Sequence, residues 1–152
     1  MVTTLKRTTS EDPDFRKLVR LLDEYMQIID GNEHAFYAQF NKLDLIKNAV
    51  VFYQDEVAAG CGALKKYGEK TVEIRRMFVH PDFRGKGIGA AVLNELEMWA
   101  AELNFSECIL ETSQKLKPAI LLYQKTGYRV IPNYGQYEHV ENSICMKKRI
   151  NS

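Results

Sequence analysis

Cysteine is scarce in this chain of 152 residues, and its three copies are scattered. Cys61, Cys108 and Cys145 form no Cys-x-x-Cys pair, and the three histidines do not cluster with them. Because zinc sites and disulfide frameworks need such spacings, neither is expected, and no other metal site is predicted. Buried free thiols in a reducing compartment are expected instead.

Long apolar runs and an excess of one charge are also missing. No stretch approaches the roughly 20 apolar residues of a membrane span, and residues 1–7 lack the apolar segment of a signal peptide. The 21 Lys and Arg nearly balance the 20 Asp and Glu, whereas nucleic-acid binding needs a concentrated basic surface. We therefore expect a cytoplasmic protein that binds neither membranes nor nucleic acid.

The patterning predicts one α/β domain spanning residues 1–152. No repeat or Pro/Gly/Ser-rich linker divides the chain, and its length fits a single domain. Helix-period and strand-period segments alternate, which predicts a mixed sheet of about seven strands flanked by helices. The segments that can be placed are helices 12–29 and 33–40, strands 49–53, 57–64 and 71–79, helix 87–103, strand 108–112, helix 118–126, and strands 128–131 and 138–147.

The strongest local signal is the segment Arg84-Gly85-Lys86-Gly87-Ile88-Gly89, here called the glycine loop. It lies between a predicted strand and a predicted helix. Glycines let a ligand approach the backbone closely, and the free N–H groups of a helix N-terminus attract anions. Since Arg84 and Lys86 add positive charge, the loop predicts a phosphate or pyrophosphate site. A turn that only lets strand and helix pack is the structural alternative.

Two nucleotide motifs bear on the identity of that phosphate ligand. A P-loop is excluded, because no Gly-x4-Gly-Lys-Ser/Thr string occurs. Gly85-x-Gly87-x-x-Ala90 matches the Gly/Gly/Ala form of the dinucleotide fingerprint, and Glu111 ends the next strand in a plausible ribose position. However, residues 80–84 separate the strand from the glycines, and more than half of the chain precedes them. A nucleotide-binding regulator therefore stays open as a weaker alternative.

Residues 71–128 resemble the core of the GCN5-related N-acetyltransferase (GNAT) superfamily. Val79-His80-Pro81 followed by Arg84-x-x-Gly87-x-Gly89 is similar to the family's strand-end and loop signature. Its second signature resembles Ala119-Ile120-Leu121-Leu122-Tyr123-Gln124-Lys125-Thr126-Gly127-Tyr128. The order of elements outside these motifs also fits, so the resemblance covers most of the chain.

The resemblance implies that acetyl-CoA lies between two splayed central parallel strands, here 71–79 and 108–112. It also implies that the glycine loop holds the pyrophosphate and that residues 77–79 pair with the pantetheine arm as an added strand does. Leu116 stands where the family often has Asn or Gln, so weaker or reorganised contact is expected there. The cofactor-binding residues expected are Met77, Phe78, Val79, Arg84, Gly85, Lys86, Gly87, Ile88, Gly89, Ala90 and Lys125.

The resemblance also implies catalytic roles. An amine must lose a proton before it attacks a thioester, since a free alkylamine has a pKa of about 10.4. Glu73 resembles the family's base, usually acting through water, and Tyr123 matches its general acid. A cross-strand ion pair with Arg75 is the structural alternative for Glu73, and simple packing is the alternative for Tyr123. The Met77 or Phe78 backbone N–H is the expected oxyanion donor.

The acceptor pocket is expected between the first helices and the last strands. Segment 133–137 is aromatic and polar, which suits a small polar amine, and ordinary packing is the alternative for each residue. A carboxylate on the acceptor would be able to pair with Arg75 or Arg76. The acceptor candidates are Tyr25, His34, Tyr37, Arg75, Tyr134, Tyr137 and His139.

These features predict an enzyme that moves an acetyl group from acetyl-CoA directly to a primary amine of a small molecule or peptide. Direct transfer is expected because neither motif contains a cysteine, although Cys108 is close enough to test as an acetyl carrier. Charge supports this picture: residues 65–86 hold seven Lys/Arg and three Asp/Glu, a net +4, while residues 11–34 hold three and seven, a net −4. A non-catalytic acyl-CoA-binding module is the main alternative, and a homodimer stays open.

Overall fold

The computed structural model describes residues 1–30 and 46–151. Within these residues, seven strands form one mixed sheet in the order β1-β2-β3-β4-β5-β7-β6, which confirms the predicted α/β class. The predicted helix 33–40, with the acceptor candidates His34 and Tyr37, lies outside the described residues. The elements are β1 (Thr3–Thr8), α1 (Pro13–Asp30), β2 (Asn48–Gln54), β3 (Val57–Lys66), β4 (Thr71–Val79), α2 (Ile88–Glu102), β5 (Glu107–Ser113), α3 (Lys117–Lys125), β6 (Arg129–Ile131) and β7 (Ser143–Arg149).

The sheet separates two apolar cores. Helices α2 and α3 cover one face, where Val92 and Leu96 of α2 pack with Val72 and Ile74 of β4. Helix α1 covers the other face through the apolar stripe that its sequence predicts, led by Phe15. Burial of these stripes holds the helices to the sheet. Among the described helices, none is long and apolar enough to cross a membrane.

Helix α1 begins where its sequence predicts, at an aspartate cap. Oδ1 of Asp12 accepts hydrogen bonds from the backbone N–H groups of Asp14 and Phe15, at 2.9 and 3.1 Å. Its other oxygen lies 2.7 Å from Nζ of Lys6. Burial by itself raises the pKa of this carboxyl, but the hydrogen bonds from Lys6, Phe15 and their neighbours outweigh it and hold the pKa below its usual range.

The structure differs from the sequence prediction in two strands. β1 was not predicted, because it is an edge strand whose first four residues are exposed, so it has no apolar alternation. β7 begins at Ser143 rather than Glu138, since residues 135–137 form a short 3-10 turn and pairing starts only after it. In β1 the exposed residues give no alternating pattern, and before β7 the turn interrupts the strand pattern.

The parallel strands β4 and β5 separate along their length. They pair only where Thr71–Glu73 lies opposite Glu107–Ile109. Beyond that point β4 remains paired with β3, while β5 remains paired with β7 as far as Ser113. The second half of β4 therefore has no partner on its β5 side among the described strands, and the splay expected from the sequence is confirmed.

Candidate active site

A cleft of about 370 Å³ opens beside the unpaired end of β4. Its walls come from α1, the end of β4, the glycine loop, the start of α2 and the helix α3. Tyr123 of α3 lies in the wall, as does Leu116, the residue that departs from the family pattern. Nine of the eleven residues predicted to bind the cofactor line the cleft, namely Met77, Phe78, Val79, Arg84, Gly85, Gly87, Ile88, Gly89 and Ala90.

The glycine loop owes its shape to two left-handed residues. Gly85 and Gly87 both have a φ of 78°, a region in which residues with a side chain are strained. A Cβ built at either position would meet no atom within 4 Å. The need for glycine is thus conformational, and the space beside the loop is open. Gly87 also begins α2 without a capping side chain, so the first N–H groups of α2 have no side-chain acceptor there.

Gly89 controls the spacing of the two helices that border the cleft. A Cβ at this position would lie 3.1 Å from a methyl carbon of Leu122 in α3. A side chain here would require the Leu122 side chain to shift by a few tenths of an ångström. Because both helices line the cleft, the small size of Gly89 sets how closely its walls approach.

Arg84 joins the end of β4 to helix α1. Its Nε donates a 3.0 Å hydrogen bond to the carbonyl of Val79. Its guanidinium lies 5.1 Å from the ring centre of Tyr25 and 5.7 Å from that of Phe78, both within cation–π range. Tyr25, predicted as an acceptor residue, therefore lies in the same cleft as the glycine loop.

Two lysines predicted for the cofactor lie outside the cleft lining. Nζ of Lys86 lies 5.5 Å from the ring centre of Phe83, and Lys125 is exposed in the last turn of α3. Neither side chain contributes to the walls. Exposed lysine side chains are flexible. The positions of Lys86 and Lys125 in the sequence therefore do not determine where their ammonium groups lie.

Tyr123 is a buried phenol that borders the cleft. Only 6% of the residue is exposed, and its ring meets that of Tyr128 edge to face at 5.8 Å. Burial, with the charge of Glu111 adding to it, raises the pKa of Tyr123 above its ordinary value. The hydroxyl therefore stays protonated at ordinary pH and is a hydrogen-bond donor rather than a base. The same shift makes it a weaker acid than a free phenol.

Glu73 lies outside the cleft, in a polar cluster of Glu73, Arg75, Tyr134 and Tyr137. Its carboxylate accepts hydrogen bonds from the hydroxyl of Tyr134 at 2.5 Å and from Nη1 of Arg75 at 3.0 Å. The Glu73 and Arg75 side chains are only 6% and 9% exposed. The ion pair that the sequence left open is thus present. Burial and the Glu73 charge raise the pKa of Tyr134, which keeps this hydroxyl a donor.

The other acceptor candidates gather only in part. The rings of Tyr134 and Tyr137 meet edge to face at 5.9 Å, and Tyr67 meets Tyr134 at 5.1 Å. Tyr67 was not predicted, since a single half-exposed tyrosine before a turn carries no sequence signal. His139 is not part of the cluster: its side chain is 91% exposed beside Glu138.

A β-bulge interrupts β4 after Arg75. Ala63 of β3 pairs with Arg75 and Cys61 pairs with Phe78, so Gly62 lies opposite two residues, 76 and 77. A Cβ at Gly62 would lie 2.6 Å from the sulfur of Met77. Gly62, a glycine inside the predicted strand 57–64, is the sequence feature that accompanies this bulge.

The bulge reverses which side chains of β4 face each core. Before it, Val72 and Ile74 face α2, and after it Met77 and Val79 do. Residues 75 and 76 consequently lie together on the α1 side. Arg76 accommodates the bulge with a φ of 58°, which is uncommon for a residue with a side chain.

The three cysteines are free and buried, as the sequence predicts. Cys108 is fully buried in the core beneath α2. Burial, together with the charge of Glu97, raises its pKa to about 12. Since the thiolate is the nucleophilic form, Cys108 is unsuited to carry an acetyl group. Within the described residues, no group of three or more His, Cys, Asp or Glu is placed to hold a metal ion.

Comparison with known proteins gives one consistent family. The Acetyltransferase (GNAT) family matches residues 13–128. The uncharacterized N-acetyltransferase YjgM of Escherichia coli (strain K12) is 30% identical over 132 residues, covering 85% of this chain and 72% of its own.

Two crystal structures share the fold over nearly their whole length. A protein of Klebsiella pneumoniae subsp. pneumoniae, provisionally assigned as an acyl-CoA N-acyltransferase, has a TM-score of 0.82 at 24% identity and covers 98% of both chains. PaiA N-acetyltransferase of Thermoplasma acidophilum, in complex with coenzyme A, has a TM-score of 0.72 at 18% identity and covers 98% of this chain and 99% of its own. With its splayed β4 and β5, its glycine loop at the start of α2 and these relatives, the chain belongs to the GNAT family of acetyltransferases.

Proposed function

We propose that this enzyme transfers the acetyl group of acetyl-CoA directly to a primary amine of a small molecule or peptide. The observation that carries the proposal is the cleft beside the end of β4, whose lining includes both the glycine loop and Tyr123. The coenzyme A complex of PaiA N-acetyltransferase, which has the same fold, supports acetyl-CoA as the donor.

The residues of the cleft fit coenzyme A. Gly85 and Gly87 are left-handed with open space beside them, and the uncapped N-terminus of α2 offers N–H donors to a pyrophosphate. Beyond Glu73, β4 has lost its β5 partner, so its backbone is able to pair with an extended arm. These features hold an anionic end and an extended amide chain in one cleft.

When bound, acetyl-CoA supplies a thioester that an amine attacks and a thiolate that leaves. Tyr123 holds its proton at the hydroxyl oxygen, in the wall of the cleft, and donates it as a hydrogen bond toward the leaving sulfur. The bulge at residues 76 and 77 interrupts the β-ladder next to Met77 and Phe78, whose backbone N–H groups are the proposed oxyanion donors.

Glu73 remains the proposed base. Its two oxygens are bonded to Arg75 and Tyr134, and it does not line the cleft. A proton therefore reaches Glu73 through water, or after one of these hydrogen bonds is exchanged for one to the acceptor. Direct transfer is favoured because the described cysteines are buried and their thiols have raised pKa values.

The test is release of coenzyme A from acetyl-CoA in the presence of pooled amines, amino acids, polyamines and peptides, followed by resolution of the active pools. Turnover with any pool supports the proposal. Tight coenzyme A binding without release across all pools would indicate a non-catalytic acyl-CoA-binding module. Thermal stabilisation by NAD but not by coenzyme A would favour the dinucleotide alternative, against which the 3-10 turn Pro81–Phe83 between β4 and the loop already counts.

A further inference from the structure

Arg76 is a buried arginine with an unused donor. Its side chain is only 4% exposed, and its Nη1 lies 3.0 Å from Oδ1 of Asp23 on α1. Its Nε is buried and has no hydrogen-bond partner, the single such side-chain atom in the described part of the chain. An unsatisfied N–H on a charged group is costly in a folded protein, and such groups call for a ligand or a partner.

The backbone conformation that positions this guanidinium is unfavourable for a residue with a side chain. Arg76 has a φ of 58° within the β-bulge of β4. A residue with a side chain persists in this region only where its surroundings impose it, and such strain collects at functional sites. Without the bulge, the alternation of β4 would have turned residue 76 toward the apolar core beneath α2.

The charges around Arg76 favour an anion as its partner. Asp23, the ion-pair partner of Arg76, lies at the protein surface with its side chain 53% exposed. The neighbouring guanidinium of Arg75 is a like charge, and it adds to burial in lowering the pKa of Arg76, against the opposing pull of Asp23. Arg75 itself is paired with Glu73. A carboxylate beside Arg76 would satisfy Nε and offset the repulsion, and guanidinium matches carboxylate geometry well.

The position of Arg76 links that anion site to the chemistry. The next residue, Met77, lines the cleft. Glu73 accepts a hydrogen bond from Arg75, the residue before Arg76, so a carboxylate lies close to Arg76 along β4. A small molecule that carries both an amine and a carboxylate would place its carboxylate at Arg76 and its amine toward Glu73.

We propose that Arg76 binds the carboxylate of the acceptor, so that the acceptors of this enzyme are amines that also carry a carboxylate, such as α-amino acids. The inference rests on the proposed acetyl transfer and names its substrate class. Arg76 acts through its Nε–H, which no described residue uses.

The first experiment compares matched acceptors with the wild-type enzyme and acetyl-CoA. Each set contains an α-amino acid, its carboxamide and the amine that lacks the carboxyl group, with the same side chain. We expect kcat/KM at least tenfold higher for the acid than for either analogue. If an amide or a plain amine is acetylated as well as its acid, acetyl transfer stands and the carboxylate site is refuted.

The second experiment replaces the arginine. Arg76→Gln should raise the KM for amino acids at least tenfold and leave the affinity for coenzyme A within twofold, while Arg76→Lys, which keeps the charge without the Nε donor, should fall between the two. Arg129→Gln, an exposed arginine of β6, is the matched control and should change neither value. Retention of the acid preference by Arg76→Gln would overturn the proposal.

The third experiment needs neither turnover nor a variant. The Tm of the wild-type protein is measured with N-acetyl amino acids and with their N-methylamides, which lack the carboxylate. We expect stabilisation by the acids at concentrations where the amides have no effect. Equal shifts, or none with either set, would refute the site even if Arg76→Gln does not fold. Absence of coenzyme A release in every pool, with a shift by the acids, would instead count against the acetyl transfer alone.

Discussion

The hydroxyl of Tyr134 donates a 2.5 Å hydrogen bond to the carboxylate of Glu73, a residue 61 positions earlier in the chain. The bond ties the turn after β6 to the first part of β4. It also means that the proposed base is shielded by a neutral donor on one oxygen and by Arg75 on the other. Access to Glu73 therefore depends on a side chain from a distant part of the sequence.

Tyr134→Phe should lower the free energy of unfolding by about 1.5–3 kcal/mol, because a buried carboxylate loses one of its donors. Urea denaturation at pH 7 measures the change. The half-exposed Tyr67 packs against the same ring, and Tyr67→Phe should cost less than about 0.5 kcal/mol. Equal losses for the two variants would mean that the hydrogen bond to Glu73 contributes no stability.

Tyr123→Phe should reduce turnover with acetyl-CoA at least tenfold, since loss of one positioned hydrogen-bond donor to a developing negative charge costs about 10²–10³. The affinity for coenzyme A should stay within twofold, because the ring that lines the cleft is kept. Steady-state kinetics and calorimetry separate the two effects. Tyr53→Phe, which removes a hydroxyl bonded to Asp14 on α1, is the activity control. Unchanged turnover in Tyr123→Phe would remove this residue from the mechanism.

Gly87→Ala should weaken coenzyme A binding about fivefold to thirtyfold. Alanine disfavours the φ of 78° found here by about 1–2 kcal/mol, so the glycine loop must be forced back into its binding conformation. Isothermal titration calorimetry measures the affinity. Gly68→Ala, at a glycine without positive φ and with only ordinary contacts, should leave it unchanged. Equal affinities for the two variants would show that the loop conformation does not matter for binding.

Cys108→Ala should retain turnover within twofold below its melting temperature, since the thiol is buried and its pKa is raised to about 12. Mass spectrometry of the wild-type enzyme after mixing with acetyl-CoA alone should show no acetylated protein. Acetyl-Cys108, or inactivity of a folded Cys108→Ala variant, would contradict direct transfer.

Asp12→Asn should lower stability by about 1 kcal/mol at pH 7, because asparagine still caps α1 but loses the charge facing Lys6. The pKa of Asp12 is held below its usual range, so the folded state binds fewer protons than the unfolded one. The contribution is therefore complete above the unfolded pKa of about 3.9 and is lost as pH falls through the lower folded value. Urea titrations from pH 6 downward should show the difference between the two proteins shrink once the pH falls below the unfolded pKa.

The sequence by itself determined the features that depend on local backbone rules. The aspartate cap at Asp12, the left-handed glycines of the glycine loop and the start of α2 follow from short-range geometry, which the residues impose wherever the chain folds. The motif around Tyr123 and the apolar stripes of the helices likewise indicated which elements form the walls of the cleft.

The tertiary structure alone decided how the polar side chains around Glu73 and Arg76 are arranged. Whether Glu73 pairs with Arg75 or meets Tyr134 depends on the separate strands and turns that carry them. The burial of Arg76 depends on one extra residue in the register of β4 against β3, which turns a side chain from one core to the other. The alternation of side chains along one strand does not by itself say which residues face which side of the sheet. Pairing with the neighbouring strand sets that register.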